Sequence, residues 1–240
     1  MTKTKAIILA SGIGKRLKPL TDDTPKPLIK VGELCILERI IDSLMENNVK
    51  DIIITTGHLE EKIKEFVRNK YSKVNPAFVR NPIYDKTNYI YSLWVAREAV
   101  KDSDIILIHG DMFFDPNLMK RVAESDKSCA LIRKSQDVPE KDFKARIKNG
   151  LIKEIGVNVF GDDARFCAPV YKILENDFSA WMEKIEEFVK ENNTNVYAEN
   201  ALNLITDKIK FYPLYYNNEL CMEIDDFSDL EKAKNYLKNK

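Results

Sequence analysis

The chain has 240 residues, with 38 basic and 38 acidic side chains and so a formal net charge of zero. Hydrophobic residues make up 44% and charged residues 32%, which fits a packed core and excludes disorder, a collagen-like rod and a disulfide scaffold. A balanced charge with no basic stripe also argues against a dedicated nucleic-acid binder, although a local positive pocket for a small phosphate remains possible.

The first apolar run, Lys5 to Ala10, reads as a buried strand. It is too short for a signal-peptide core or a membrane span, and no later stretch reaches spanning length, so the expectation is a soluble cytoplasmic protein. A glycine-rich loop follows from Ser11 to about Pro27. Then come an amphipathic helix over Glu38 to Asn47, a strand over Asp51 to Thr56 and a helix over Leu59 to Lys70. Val74 to Val79 suggests a third strand, and Thr87 to Val100 a helix. Asp104 to His109 is an uninterrupted apolar strand, as expected where a sheet is covered on both faces. A short helix over Asn117 to Ala123 and a strand over Ser128 to Arg133 follow.

The second half is less regular. Strands are expected over Phe143 to Ile147, Leu151 to Ile155, Ala168 to Ile173 and Ile209 to Leu214. Asn149-Gly150 is a hairpin signal between the first two. Helices are expected over Phe178 to Asn192, over Ala198 to Ile205 and from about Ser228 to the end. Strands alternating with helices point to a Rossmann-like three-layer α/β/α fold, with a mixed, mostly parallel central sheet and a small covering subregion in the second half. The chain reads as one domain in three parts: residues 1–125, 126–222, and 223–240 as a closing strand and helix. Cys35, Cys129, Cys167 and Cys221 are far apart, with no CxxC pair, and read as free buried thiols of a reducing compartment.

The loop after the first strand carries the chemistry. Gly12 and Gly14 permit tight turns and close approach of backbone N–H groups to a phosphate. Lys15, Arg16 and Lys18 add positive charge, and Lys26 sits between Pro25 and Pro27. The loop lacks the GxxxxGK[ST] of a P-loop and the third glycine of a dinucleotide fingerprint. Asp111 follows an apolar strand, where open sheets bind ligands and where a carboxylate can hold Mg²⁺. Asp225 lies in MEIDDFSDL, with Asp226 and Ser228 as rival helix caps and Glu223 two residues before it.

The block LASGIGKRLKPLTDDTPKPL resembles the signature of the sugar-nucleotidyltransferase-like family. Ser11 stands where alanine is commoner. The resemblance implies transfer of a nucleoside monophosphate from a nucleoside triphosphate to a phosphorylated small molecule, with release of pyrophosphate. Leu9, Ala10, Ser11, Gly12, Gly14 and Lys15, with Gly110, would then line the nucleotide. Arg16 would bind the departing phosphates, Lys26 the α-phosphate and incoming phosphate, and Asp111 and Asp225 would ligate Mg²⁺.

The segment from Asn81 to Leu93 resembles members that use CTP and phosphorylated amino-alcohols, among them phosphocholine cytidylyltransferases of bacterial surface-decoration pathways. That implies that Asn88 and Ser92 lie near the nucleotide, and it suggests a role in capsule or cell-surface polysaccharide modification. Asn81 and Thr87 in the same block offer further hydrogen-bonding groups for it, the alternative being an N-cap and turn that touch no ligand. Tyr89 replaces a common asparagine, and His58 stands where tyrosine is frequent.

On the acceptor side, Tyr197 and Glu199 resemble the family's wall. Glu199 suits an ammonium, while Lys144 or Arg146 suits a carboxylate. That mixture points to a zwitterionic acceptor such as phosphoglutamine, with phosphocholine as the alternative headgroup. A phosphate acceptor is already anionic, so no histidine base is required. Two other readings stay open: a sugar-1-phosphate nucleotidyltransferase using UTP, GTP or dTTP, and a catalytically silent nucleotide-binding regulator. Partners are otherwise limited to CTP and the acceptor, with no nucleic acid or membrane, in a monomer or homodimer.

Overall fold

A computed structural model describes residues 3–71, 74, 76–135, 138 and 140–239. The elements run β1 (Lys3–Ala10), α1 (Leu20–Asp23), β2 (Lys30–Val31), β3 (Leu34–Cys35), α2 (Ile36–Glu46), β4 (Ile52–Thr56), α3 (Glu60–Lys70), β5 (Ala77–Arg80) and α4 (Tyr89–Ala96). They continue as β6 (Ser103–His109), β7 (Met112–Phe114), α5 (Pro116–Ala123), β8 (Cys129–Arg133), β9 (Lys144–Lys148), β10 (Leu151–Gly156) and β11 (Ala164–Ile173). The last are α6 (Glu175–Lys190), α7 (Ala198–Asn203), β12 (Tyr212–Tyr216), β13 (Cys221–Glu223) and α8 (Phe227–Lys238).

The central sheet runs β10-β9-β11-β6-β1-β4-β5, with β8 pairing both β11 and β12. Its middle is parallel: β1 pairs β4 and β6, and β4 pairs β5. β11 enters antiparallel beside β6 and also carries β8 and β9. Helices cover both faces, giving three α/β/α layers. The continuous apolar strands are explained by this double covering. Along β1, Ala6, Ile8 and Ala10 pack under α2, α3, α5 and α8, whereas Ile7 and Leu9 pack under α4, α6 and α7. β6 divides in the same way, with Ile106 and Ile108 on one face and Ile105 and Leu107 on the other.

Three expectations shift. The strand expected over Val74 to Val79 overlaps residue 75, which lies outside the described residues; the described strand is β5. The strand expected over Ile209 to Leu214 begins later, at Tyr212, because Ile209 and Phe211 pack into the α6–α7 face instead. β11 is longer than its expected core, starting at Ala164. Two small pairings were not expected: the β2–β3 hairpin and the antiparallel β7–β13 pair, Met112 opposite Glu223. All four cysteines are buried free thiols. No helix among the described residues is long and apolar enough to cross a membrane.

Trp181 on α6 locks the second half. It is fully buried, and its indole N–H donates to the Ala198 carbonyl at the start of α7, 3.0 Å away. Trp181→Ala leaves a large cavity and an unpaired carbonyl. It is expected to destabilise the fold by about 4 kcal/mol, seen as a lower urea midpoint at unchanged slope.

Candidate functional site

The parallel register brings three strand ends level. Leu9 pairs with His109 and Ala10 with Thr56, so the loops after β1, β4 and β6 open on the same edge. Leu9, Ala10, Gly12, Gly14, Lys15, Arg16, Lys26, Pro27, Gly110, Asp111 and Asp225 line one cleft of about 280 Å³.

Two glycines shape it. Gly14 has φ +71°, and a Cβ there would lie 3.0 Å from the Thr21 methyl and 3.1 Å from Lys26 Cβ. Its carbonyl also accepts from Thr21 Oγ1 at 2.9 Å, so the turn sets where the Lys26 stem lies. Gly110 donates its N–H to the Leu9 carbonyl, and a Cβ would meet that oxygen at 2.7 Å. Gly12 has no such constraint; a Cβ there would meet nothing within 4 Å. The tight turn therefore belongs to Gly14, while Gly12 leaves open space in the cleft wall.

Charge converges at one point. Lys26 Nζ lies 2.5 Å from Asp111 Oδ2 and 2.7 Å from Asp225 Oδ1. Arg16 Nη2 lies 2.9 Å from the other Asp225 oxygen, Oδ2. Burial opposes the Lys26 charge, but the two carboxylates more than reverse this and hold its pKa above the ordinary lysine range. Burial likewise opposes the Asp111 charge, and Lys26 and His109 reverse it, so Asp111 stays below the usual carboxylate range.

Asp225, not Asp226, faces the cleft. Asp226 caps α8, its Oδ1 accepting from Asp229 N at 3.0 Å, and Lys141 pairs with it from outside. Asp229 Oδ2 in turn accepts from Asp225 N at 3.2 Å, bracing the backbone of the cleft residue.

These residues fit a hard divalent cation. Lys26 already places one positive centre in contact with both carboxylates, and Asp111 Oδ1 is buried with no hydrogen-bond partner among the described residues. Paired carboxylates are the donor set Mg²⁺ prefers. Beside them, His109, Asp111 and Glu223 have ligand atoms within 4.8 Å of one another and form a second group able to hold a divalent ion. His109 Nδ1 lies 3.5 Å from Glu223 Oε1. Burial raises the Glu223 pKa, His109 countering it only in part. Burial lowers that of His109, but Glu223 and neighbouring carboxylates leave it raised overall.

The Asn81–Ser92 block forms a brace behind the loop. Ser11 Oγ and Ser92 Oγ are 2.8 Å apart, both buried. Asn81 Nδ2 donates to Ser92 Oγ and to Thr87 Oγ1, each at 3.0 Å. Asn88 accepts from Tyr89 N at 2.8 Å and caps α4. The structure thus joins Asn81, Thr87 and Ser92 to one another and, through Ser11, to the cleft; Asn88 starts the adjoining helix.

Four rings follow from the cleft into the second half. Tyr89 meets His109 at 4.5 Å between centroids, His109 meets Phe143 at 6.3 Å, Phe143 meets Tyr197 at 4.9 Å, and Tyr197 meets Tyr89 at 5.9 Å. Together they make an aromatic wall. Glu199 lies behind it, almost fully buried, accepting from the Tyr89 hydroxyl and, at 2.9 Å, from the Tyr171 hydroxyl. Burial and then the Glu223 and Glu199 carboxylates raise the Tyr197 pKa, and Arg16 and Asp225 also lie close enough to act on it.

Tyr89 and Phe143 were not expected in this wall. Nothing in the sequence links two rings 54 positions apart, and only the Tyr197–Glu199 pair gave a signal.

The two cations expected on the acceptor side are engaged elsewhere. Lys144 Nζ donates to the Glu140 and Asp142 carbonyls, each at 2.9 Å. Arg146 is held by Glu154 at 3.0 Å and Asp163 at 2.6 Å.

The profile of the Nucleotidyl transferase family matches residues 5–145. A choline-phosphate cytidylyltransferase of Streptococcus pneumoniae is 28% identical over 248 residues, covering 98% of this chain and 99% of that protein. A CTP:phosphoglutamine cytidylyltransferase of Campylobacter jejuni is 27% identical over 264 residues, covering 94% and 97%. The solved structure of a CTP:phosphocholine cytidylyltransferase from Streptococcus pneumoniae superposes with a TM-score of 0.83 at 24% identity, covering 98% of this chain and 99% of that one, a likeness of fold. With the match spanning the glycine-rich loop, Lys26 and Asp111, the chain belongs to the nucleotidyl transferase family.

Proposed function

We propose that the protein is a Mg²⁺-dependent cytidylyltransferase that moves CMP from CTP to the phosphate of a small ammonium-bearing acceptor and releases pyrophosphate. The observation that carries this is the convergence of Arg16, Lys26, Asp111 and Asp225 in one cleft at the carboxyl end of the parallel strands. A silent regulator would not need this full set, and the full-length likeness to CTP-using enzymes supports CTP over UTP, GTP or dTTP. Residues 126–222 supply the acceptor side, and the product fits capsule or cell-surface polysaccharide modification.

The chemistry needs positioning more than proton transfer. An acceptor phosphate oxygen, already anionic, forms a bond to the α-phosphorus. The bond from that phosphorus to the bridging oxygen breaks, and pyrophosphate leaves with the electron pair. Lys26 holds the α-phosphate and the incoming phosphate in line, and Arg16 balances the charge that grows on the leaving phosphates. Mg²⁺ held by Asp111 and Asp225 would supply further neutralisation of phosphate charge. Leu9, Ala10, Ser11, Gly12, Gly14, Lys15 and Gly110 form the walls for the nucleotide. Asn81, Thr87, Asn88 and Ser92 keep that wall in register.

For the acceptor, the aromatic wall suits an alkylammonium headgroup, with Glu199 buried behind it anchoring the Tyr89 hydroxyl. A zwitterion would also need a cation for its carboxylate, and both Lys144 and Arg146 are already paired. The amino-alcohol phosphates, phosphocholine and phosphoethanolamine, are therefore preferred to phosphoglutamine.

Three outcomes are expected in a pyrophosphate-release assay. Arg16→Ala and Lys26→Ala each lower kcat by about 10²–10³-fold with unchanged circular dichroism; wild-type turnover in both variants refutes the mechanism. Tyr197→Ala raises KM for the acceptor about tenfold while KM for CTP stays put. In a panel of nucleoside triphosphates crossed with acceptors, CTP with an amino-alcohol phosphate gives the highest kcat/KM, and preference for phosphoglutamine or a sugar 1-phosphate rejects the headgroup assignment.

A further inference from the structure

Lys26 bonds to both carboxylates of the candidate metal site, and its side chain is only 12% exposed. Arg16 occupies the remaining Asp225 oxygen. The four charges sum to zero, and every cation in the set is already matched to a carboxylate. This arrangement rests on the reading of the cleft as a metal–triphosphate site. It also sets a condition that the reading alone does not contain.

A divalent ion that bridges the two carboxylates through Asp111 Oδ2 and Asp225 Oδ1 must expel the lysine from them. With no anion to receive it, the expelled ammonium is left unpaired in a largely buried place, which is strongly unfavourable. A triphosphate arriving alone meets the converse problem, because Arg16 and Lys26 are already neutralised by the carboxylates. Arriving together, the two ligands exchange partners with the protein. The metal takes the carboxylates, and Lys26 and Arg16 swing onto the phosphates, so no charge is stranded.

We propose that Lys26 is a displaceable internal counter-ion: it suppresses metal binding in the absence of nucleotide and couples metal and triphosphate binding through this exchange of ion pairs. Such coupling is reciprocal, so the lysine weakens each ligand alone and favours the pair. The backbone supports the exchange. The stem of Lys26 is set by the Gly14 turn, so only the flexible outer part of its side chain has to move.

The test is metal binding without nucleotide. Mn²⁺ is titrated into the protein and free ion is followed by electron paramagnetic resonance, for wild type, Lys26→Met and Lys26→Arg. Lys26→Met is expected to bind Mn²⁺ about tenfold more tightly than wild type, within the range of coupled sites, although it has lost turnover. Lys26→Arg, which keeps a cation in place, is expected to stay at the wild-type affinity. Asp225→Asn added to Lys26→Met should abolish the gain, which places the ion at the Lys26 carboxylates and not at His109, Asp111 and Glu223.

Should Lys26→Met fail to fold, Arg16→Met replaces it, because freeing Asp225 Oδ2 also tightens Mn²⁺ binding. Equal affinity in wild type and the neutral variants overturns the proposal, as does equal tightening in Lys26→Arg. A wild type that turns over CTP while the neutral variants show no tightening removes the counter-ion role and leaves the function standing. A wild type that releases pyrophosphate from no nucleoside triphosphate removes the function, and the Mn²⁺ comparison still decides the lysine's role.

Discussion

The contact of Lys26 with Asp111 and Asp225 is the constraint on which the rest of the site depends. The two aspartates lie 85 and 199 positions along the chain from the lysine. Three separate connections, the loop after β1, the β6–β7 turn and the β13–α8 link, must therefore end within about 3 Å of one point. The stability of that point is electrostatic and local. Each charge is largely buried, and each would be expensive alone. Lys26 and Asp111 favour each other's charged form: the ammonium holds the Asp111 carboxyl below its usual range, and the carboxylates hold the lysine above its own.

The sheet makes such a meeting possible. β1 and β6 pair residue for residue from Lys3 with Ser103 to Leu9 with His109, which fixes Asp111 two residues beyond a known register. Asp225 reaches the same edge by a different device. β13 pairs antiparallel with β7 immediately after Asp111, and Ile224 N donates to the Asp111 carbonyl at 2.9 Å. A strand of three residues thus ties the two carboxylates together through the backbone. The capping of α8 by Asp226, with Asp229 bonded back to Asp225 N, then keeps the second carboxylate aimed inward. One acidic run serves three purposes: Asp225 faces the cleft, Asp226 caps, and Asp229 braces.

Much of this was legible in the residues. Long apolar runs such as Ile105 to Ile108 marked the central strands because a doubly covered strand has no polar face. Gly14 and the basic residues around it were visible as a phosphate loop from residue type, while the roles of Arg16, Lys26, Asp111 and Asp225 were legible through the family resemblance. β7 and β13 were not visible, since three residues carry no periodicity and their pairing spans over a hundred positions. The choice of Asp225 over Asp226 rested on the resemblance of Glu223-Ile224-Asp225 to the family's metal-binding segment, with capping left as the role for Asp226 or Ser228. The aromatic wall was beyond reach because its four members come from α4, β6, the turn before β9 and the residue before α7.

The acceptor side shows where local reading misleads. Lys144 and Arg146 looked available because the stretch around them seemed rich in positive charge. The hairpin at Asn149-Gly150 was recognised, and a regular register from Lys148 opposite Leu151 would put Lys153 across from Arg146. The β-bulge after Ile152 instead puts Glu154 opposite Arg146. That single inserted residue replaces a repulsive cross-strand pair with an attractive one and engages the guanidinium with Glu154. On the function proposed above, recognition of the headgroup would then fall to groups the bulge leaves untouched, the rings of Tyr89, Phe143 and Tyr197. An aromatic wall would complement a cation while the neighbouring cleft, through Lys26 and Arg16, would complement its phosphate. A molecule with one positive end and one phosphate end would be oriented by that polarity alone, before any shape contact distinguishes it.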